Sequence, residues 1–185
     1  MAHRVCPWWL GYLLASPLRR LAQDPAKILS PFVTEEMTVL EPGPGMGFFT
    51  LELARLVGPR GRVVAVDVQQ KMLDGLRRRA GRVELLSRIE LRLSGRDSLG
   101  IEDLAGKVDL VLAFAMVHEL PDGARFFAEA ARALKPGGAL LIAEPRGHVS
   151  DAAFEATLAA AAAEGLWPRS RPVIRRSHAA LLARH

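Results

Sequence analysis

Cysteine is nearly absent: Cys6 stands alone among 185 residues. No intramolecular disulfide, no CxxC redox pair and no thiolate zinc cluster can be built from it. A disulfide scaffold is excluded, and a reducing cytoplasm fits best. Lysine is scarce too, since four of the 25 basic residues are Lys and the other 21 are Arg, against 20 acids. That skew accompanies heavy Ala usage and reads as GC-rich coding rather than as a nucleic-acid footprint. No apolar run approaches the roughly 20 residues of a membrane-spanning helix. The nearest is VCPWWLGYLLA at 5–15, behind His3 and Arg4. It superficially resembles a signal peptide, but Pro17 and an ordinary amphipathic pattern follow, so export is not expected.

What is present is a core. Half of the residues are hydrophobic and 24% are charged, and a chain of this length removes roughly 70% of its unfolded surface from water on folding. One domain over 1–185 is expected. Short apolar runs at 38–41, 63–68, 89–93, 108–114 and 139–144 alternate with helical patterns at 48–57, 70–80, 123–134 and 151–164. Strand alternating with helix means a parallel sheet covered on both faces. VVAVDV, VDLVLAF and ALLIAEP barely alternate in polarity, as befits central strands buried on both sides. Gly58-Pro59, Pro121-Asp122-Gly123 and Pro136-Gly137-Gly138 supply turns between elements, Gly165 ends the Ala-rich helix, and 172–185 is expected to form two short antiparallel strands. The first 36 residues make a separate helical layer bearing Trp8, Trp9, Tyr12 and Phe32, either packed on the sheet edge or serving as a lid.

The first strand runs straight into VLEPGPGMGFFTLELARLV, which sets Glu41, Gly43, Gly45 and Gly47 at alternate positions. Glycines let the backbone turn sharply and approach a ligand, and the helix behind them offers unpaired N–H groups. A dinucleotide fingerprint requires its third glycine where Phe48 stands, and a Walker A loop requires Gly-Lys-Ser/Thr. Neither is met. Twenty residues beyond Gly47, the second strand ends in Asp67. An acid at that strand end accepts both hydroxyls of a ribose, at the switch point where open α/β sheets bind ligands; its alternative role is to cap the helix from Gln69 onward.

This combination resembles the class I S-adenosylmethionine-dependent methyltransferases, and in particular the small ubiquinone/menaquinone C-methyltransferase-like proteins, over about residues 35–145. The resemblance implies a doubly wound, mostly parallel, seven-stranded Rossmann-like α/β sheet of order 3-2-1-4-5-7-6. It makes 37–145 the cofactor-binding core and 146–185 a C-terminal helix with closing strands. Gly43, Pro44, Gly45 and Gly47 would pass beneath the methionine part of S-adenosylmethionine, Glu41 would orient the loop and the amino group, and Asp67 with Val68 would hold the ribose. Asp97 or Ser98 would meet the adenine, although Gly95-Arg96-Asp97 departs from the usual Gly-Asp pair. Phe114 and Ala115 would lie against the methionine moiety. S-adenosylhomocysteine would be the product.

His118 and Glu119 follow the fourth strand, where the resemblance implies a helix start facing the substrate, and Glu144 and His148 follow the fifth. Methyl transfer from a sulfonium depends mostly on positioning, because the leaving group is already good. A base is needed only where the acceptor loses a proton; His118 or His148 could serve, oriented by Glu119 or Glu144. Structurally, His118-Glu119 could equally be a strand-to-helix junction. A zincin motif is excluded because position 122 is Asp behind Pro121, and no resident metal is expected. Asn-Pro-Pro-Tyr, Asp-Pro-Pro-Tyr and Pro-Cys are absent after the fourth strand, which argues against adenine, glutamine and cytosine as acceptors. A single cysteine argues against arsenite. Arg77, Arg78 and Arg79 read as a solvated helix face, and there is no aromatic–basic alternation suited to single-stranded nucleic acid. A small-molecule acceptor is therefore expected. An RNA- or protein-directed enzyme and a non-catalytic S-adenosylmethionine-binding protein remain the alternatives.

Overall fold

The computed structural model describes residues 23–95 and 97–184. These form two compact units that divide after Gly95. The expected N-terminal lid with Trp8, Trp9 and Tyr12 lies outside the described residues. Phe32, which does not, is partly exposed.

The first unit begins with helix α1 (Pro25–Leu29), capped by Asp24, whose carboxylate accepts the Ala26 N–H at 3.1 Å. Strand β1 (Thr38–Pro42), helix α2 (Thr50–Leu56), strand β2 (Arg62–Asp67), helix α3 (Gln70–Arg82) and strand β3 (Ile89–Leu93) follow. β1 and β3 each pair with β2 in parallel. β2 is buried from Val63 to Asp67, which is why its sequence shows no period-two alternation. Along α3, Met72, Leu73, Gly75, Leu76 and Ala80 form the buried stripe, while Arg77 and Arg78 are exposed.

The second unit carries strand β4 (Val108–Phe114), helix α4 (Gly123–Ala133), strand β5 (Leu134–Pro145), helix α5 (Asp151–Ala163), strand β6 (Leu166–Ser170) and strand β7 (Ser177–Arg184). β4 and β5 are parallel, and β5-β7 and β7-β6 antiparallel. The strand order is β3-β2-β1-β4-β5-β7-β6, the arrangement that the family resemblance implies. Asp122 caps α4 by accepting the Arg125 N–H at 3.0 Å, and Ser150 caps α5 through the Ala153 N–H at 3.2 Å. α5 buries Phe154, Leu158 and Ala161, one face of an otherwise Ala-rich cylinder.

Three local expectations are corrected. The closing hairpin does not lie wholly within 172–185, because β6 begins at Leu166 and 171–176 are the connection. β6 contains Pro168 and is the outermost strand, the place in a sheet where proline is tolerated. The Pro136-Gly137-Gly138 turn is absorbed into β5 opposite a register shift between Val108 and Leu110. Finally, no α-helix starts at His118: Val117–Glu119 form a single 3-10 turn and α4 waits until Gly123. Pro121 disfavours helical backbone in the preceding residue, and Leu120 is accordingly extended at φ −74°, ψ 138°.

Candidate active site

In the first unit the glycine-rich segment leaves β1 as a non-helical turn. Gly43, Gly45 and Gly47 all take left-handed φ, at 67°, 55° and 84°, which explains why that spacing calls for residues without a Cβ. The Gly43 N–H donates to Val66 O at 2.8 Å, tying the turn to β2, and the Gly47 N–H closes it on Pro44 O at 3.0 Å. Pro44 is buried and Gly43 exposed. Phe48 and Phe49, expected to open the next helix, complete the turn instead and meet edge to face with centroids 5.0 Å apart.

Glu41 sits at the root of this turn, 4% exposed. Burial pushes its carboxyl up to about 7; the Thr50 hydroxyl opposes the rise and the charge of Asp67 adds to it. Glu41 Oε2 and Thr50 Oγ1 are both buried without a hydrogen-bond partner among the described residues. Such orphans are rare in folded proteins, and this pair suits a ligand bringing an N–H or ammonium donor. Asp67, 7% exposed at the end of β2, accepts the Gln69 N–H on Oδ1 at 2.9 Å. That bond closes a turn ahead of α3, whose own N-cap residue is Gln69 without a side-chain cap, so Asp67 does not cap the helix itself. Val68 beside it is exposed.

Two residues of this unit escaped the sequence. Thr50 had no role assigned, and Arg79, expected on the solvated face, donates instead to the Met46 carbonyl inside the glycine turn. Helical phase contained the signal: Met72, Gly75, Leu76 and Arg79 stand at i, i+3, i+4 and i+7, on one face.

In the second unit the cluster centres on Glu144, 1% exposed near the end of β5. Its Oε1 accepts the Val117 N–H at 2.8 Å and its Oε2 accepts from His118 Nδ1. That bond raises the His118 pKa above 6.5; partial burial opposes it, and the charges of Glu144 and Glu119 reinforce it. The His148 ring stands edge-on to His118, centroids 5.8 Å apart at 82°. His118, Glu144 and His148 are therefore brought together, with Glu119 on the same 3-10 turn acting through its charge. The turn is aimed by Ala115, a non-glycine residue at φ 55° whose N–H donates to Ala143 O at 2.7 Å. Phe114 and Ala115 are both partly exposed.

Asp97 is exposed, and Ser98 spends its Oγ on the Gly100 N–H at 3.1 Å. The same segment is fixed by Glu129, a buried acid on α4 that accepts the Leu99 N–H at 2.8 Å. Glu129 was missed, although an acid on the apolar face of FFAEAARA was a visible anomaly. His178 was missed as well. It is buried, bonded through Nε2 to Val149 O at 3.0 Å and stacked on Phe154, a structural role beside α5. Among the described residues no group of three or more His, Cys, Asp or Glu side chains could hold a metal ion, and no helix is long and apolar enough to cross a membrane.

Residues 40–142 match the family described as "Methyltransferase domain". An arsenite methyltransferase of Halobacterium salinarum is 32% identical over 107 residues, covering 58% of this chain and 27% of that protein. A ubiquinone/menaquinone biosynthesis C-methyltransferase of Escherichia coli is 29% identical over 112 residues, covering 60% of this chain and 44% of that protein. The chain thus spans less than half the length of these curated relatives. A solved S-adenosylmethionine-dependent methyltransferase from Aquifex aeolicus superposes with a TM-score of 0.85 at 25% identity, over 97% of this chain and 98% of that one.

Proposed function

Because the chain belongs to the class I S-adenosylmethionine-dependent methyltransferases, we propose that it methylates a small-molecule acceptor that gives up a proton as it gains the methyl group. The observation that carries this is the His118–Glu144 pair. Glu144 holds the imidazole through Nδ1, which fixes the tautomer with the proton on that nitrogen, and among the described residues no bond engages Nε2. A base held this way suits a phenol, hydroxyl or activated carbon acid. Glu144 also takes the Val117 N–H, so backbone and imidazole are oriented by one carboxylate. Glu119 adds negative charge that favours the imidazolium formed on proton uptake, and the edge-on ring of His148 limits how His118 tilts.

For the cofactor, the orphaned Glu41 Oε2 fits an amino group, Asp67 fits the ribose hydroxyls, and the turn at 43–47 brings backbone close enough to cradle the rest. S-adenosylmethionine, when bound, supplies a methyl group on a sulfonium. Asp97 and Ser98 are the proposed neighbours of the adenine, and Phe114 and Ala115 those of the methionine moiety. The names of the two curated relatives support a small acceptor, and Cys6 as the sole cysteine speaks against arsenite, whose chemistry needs several thiols. The test incubates purified protein with methyl-labelled S-adenosylmethionine and separated metabolite, protein and RNA fractions. Label in the metabolite fraction, lost in His118→Ala, is expected; label confined to RNA or protein would refute the acceptor class.

A further inference from the structure

The glycine turn is anchored at three points. Its start is tied to β2 through Gly43 and Val66 O at 2.8 Å, and its middle closes between Gly47 and Pro44 O at 3.0 Å. Its end is held from α3, where the Arg79 guanidinium donates to the Met46 carbonyl 33 positions away. α3 is shaped to receive that end. Met46 is 2% exposed, and a Cβ added at Gly75 would come within 2.9 Å of Met46 Cγ, so the bare backbone of Gly75 leaves the Met46 side chain its present seat. A Cβ on Gly47 would stand 2.3 Å from Leu76 Cδ1. One turn of helix therefore clasps the turn by shape at 75 and 76 and by a directed, charge-assisted bond at 79.

We propose that Arg79 is a positioning residue for the cofactor: by holding the Met46 carbonyl against α3 it fixes the Met46–Gly47 peptide and keeps the glycine turn in its binding shape before S-adenosylmethionine arrives. This rests on the assignment of the turn as the cofactor cradle. A segment with three left-handed glycines has an unusually large conformational freedom to lose, and a site that orders it in advance spares the ligand that loss. Apolar contacts of Met46 and Leu76 keep the turn near α3 but do not choose which way a peptide plane faces; a guanidinium on the carbonyl does.

The test compares wild type, Arg79→Ala and Arg79→Lys. In the free protein, hydrogen exchange of amides in 43–49 should accelerate about tenfold or more in Arg79→Ala, with β3 and the second unit unchanged. Calorimetry should show Kd for S-adenosylmethionine raised by about tenfold to a hundredfold, the loss expected for a hydrogen bond from a charged group. KM for the cofactor should rise with it while kcat at saturation stays within about twofold. Arg79→Lys, which keeps one charged donor, should recover most of both effects. Unchanged exchange in 43–49 would overturn the proposal whatever the cofactor does. Faster exchange with an unchanged Kd would overturn the positioning role while leaving the cofactor assignment intact. A wild type that binds no S-adenosylmethionine would refute the cradle assignment itself and the positioning role with it. Should Arg79→Ala not fold, Arg79→Gln carries the same comparisons.

Discussion

Glu41 and Thr50 flank the glycine turn and each buries one oxygen, Oε2 and Oγ1, that finds no partner among the described residues. Buried oxygens without partners mark a place where stability is given up in the free protein. The same place is where a donor-bearing ligand would gain most, since an unmade buried hydrogen bond is what such a ligand supplies.

The pH dependence of stability follows from Glu41. Its carboxyl is raised from 4.5 to about 7 chiefly by burial, so the folded state holds a proton that the unfolded chain has released. The resulting stability is complete below about pH 4.5 and is lost as pH rises through about 7. Glu41→Gln, neutral at every pH, should flatten that slope and exceed wild type above pH 7 by roughly 3 kcal/mol, the linkage value of such a shift. Urea unfolding at pH 5, 6, 7 and 8 measures it; parallel pH profiles for both proteins would contradict it.

His118 should set the acidic limb of the pH–rate profile. If His118 is the base, as proposed, its neutral form is the active one, and the bond to Glu144 raises its pKa above 6.5, so kcat/KM should climb with a midpoint above that of free imidazole. Glu144→Gln removes the leading cause and should move the midpoint downward while lowering kcat. His118→Ala should cost about two to four orders of magnitude in turnover and leave cofactor affinity intact. A profile whose midpoint is unmoved in Glu144→Gln would point to another titrating group.

Asp67 is best tested as Asp67→Asn. The amide oxygen still accepts the Gln69 N–H that Asp67 Oδ1 takes at 2.9 Å, so the start of α3 should survive and thermal melting should barely move. Affinity for S-adenosylmethionine should nonetheless fall by about 1–3 kcal/mol, the usual loss for hydrogen bonds to a charged group. Calorimetry with equal affinity in both proteins would mean that the ribose is held elsewhere.

Ala115 carries backbone strain, with φ at 55° and its N–H engaged by Ala143 O. Ala115→Gly should be neutral or more stable by up to about 1 kcal/mol, since glycine adopts this region freely. Ala115→Val should destabilise by roughly 1–3 kcal/mol, because a β-branched residue resists left-handed backbone. The two midpoints in urea, measured side by side, should differ in that order.

The alternation of strands and helices, the glycine turn and the position of Asp67 at the end of β2 were legible from local pattern, whereas the strand order and the meeting of His118 with Glu144 were expected from the family resemblance. Both-face burial erases alternation in VVAVDV and VDLVLAF, and glycine spacing reports left-handed backbone directly. Arg79, Glu129 and the start of β6 were not legible for a common reason. Their roles depend on what lies across from them: a carbonyl 33 positions away for Arg79, a loop N–H 30 away for Glu129, and outermost position for the Pro168 strand. The turn at His118 was misjudged for a different cause, the reach of Pro121 into the backbone before it.

The seat of Met46 on bare Gly75 couples two positions sterically. A Cβ at 75 would stand 2.9 Å from Met46 Cγ, so an enlarged 75 obliges the Met46 side chain to shift, and a shortened 46 alone leaves a void. In a library randomised at both, Gly75→Ala should be enriched when paired with Met46→Ala or Met46→Val and depleted beside Met46. The shape of this glycine turn thus depends partly on a helix that follows it, so that a graft of residues 41–50 into another scaffold would bring the glycines but leave behind the surface they pack on.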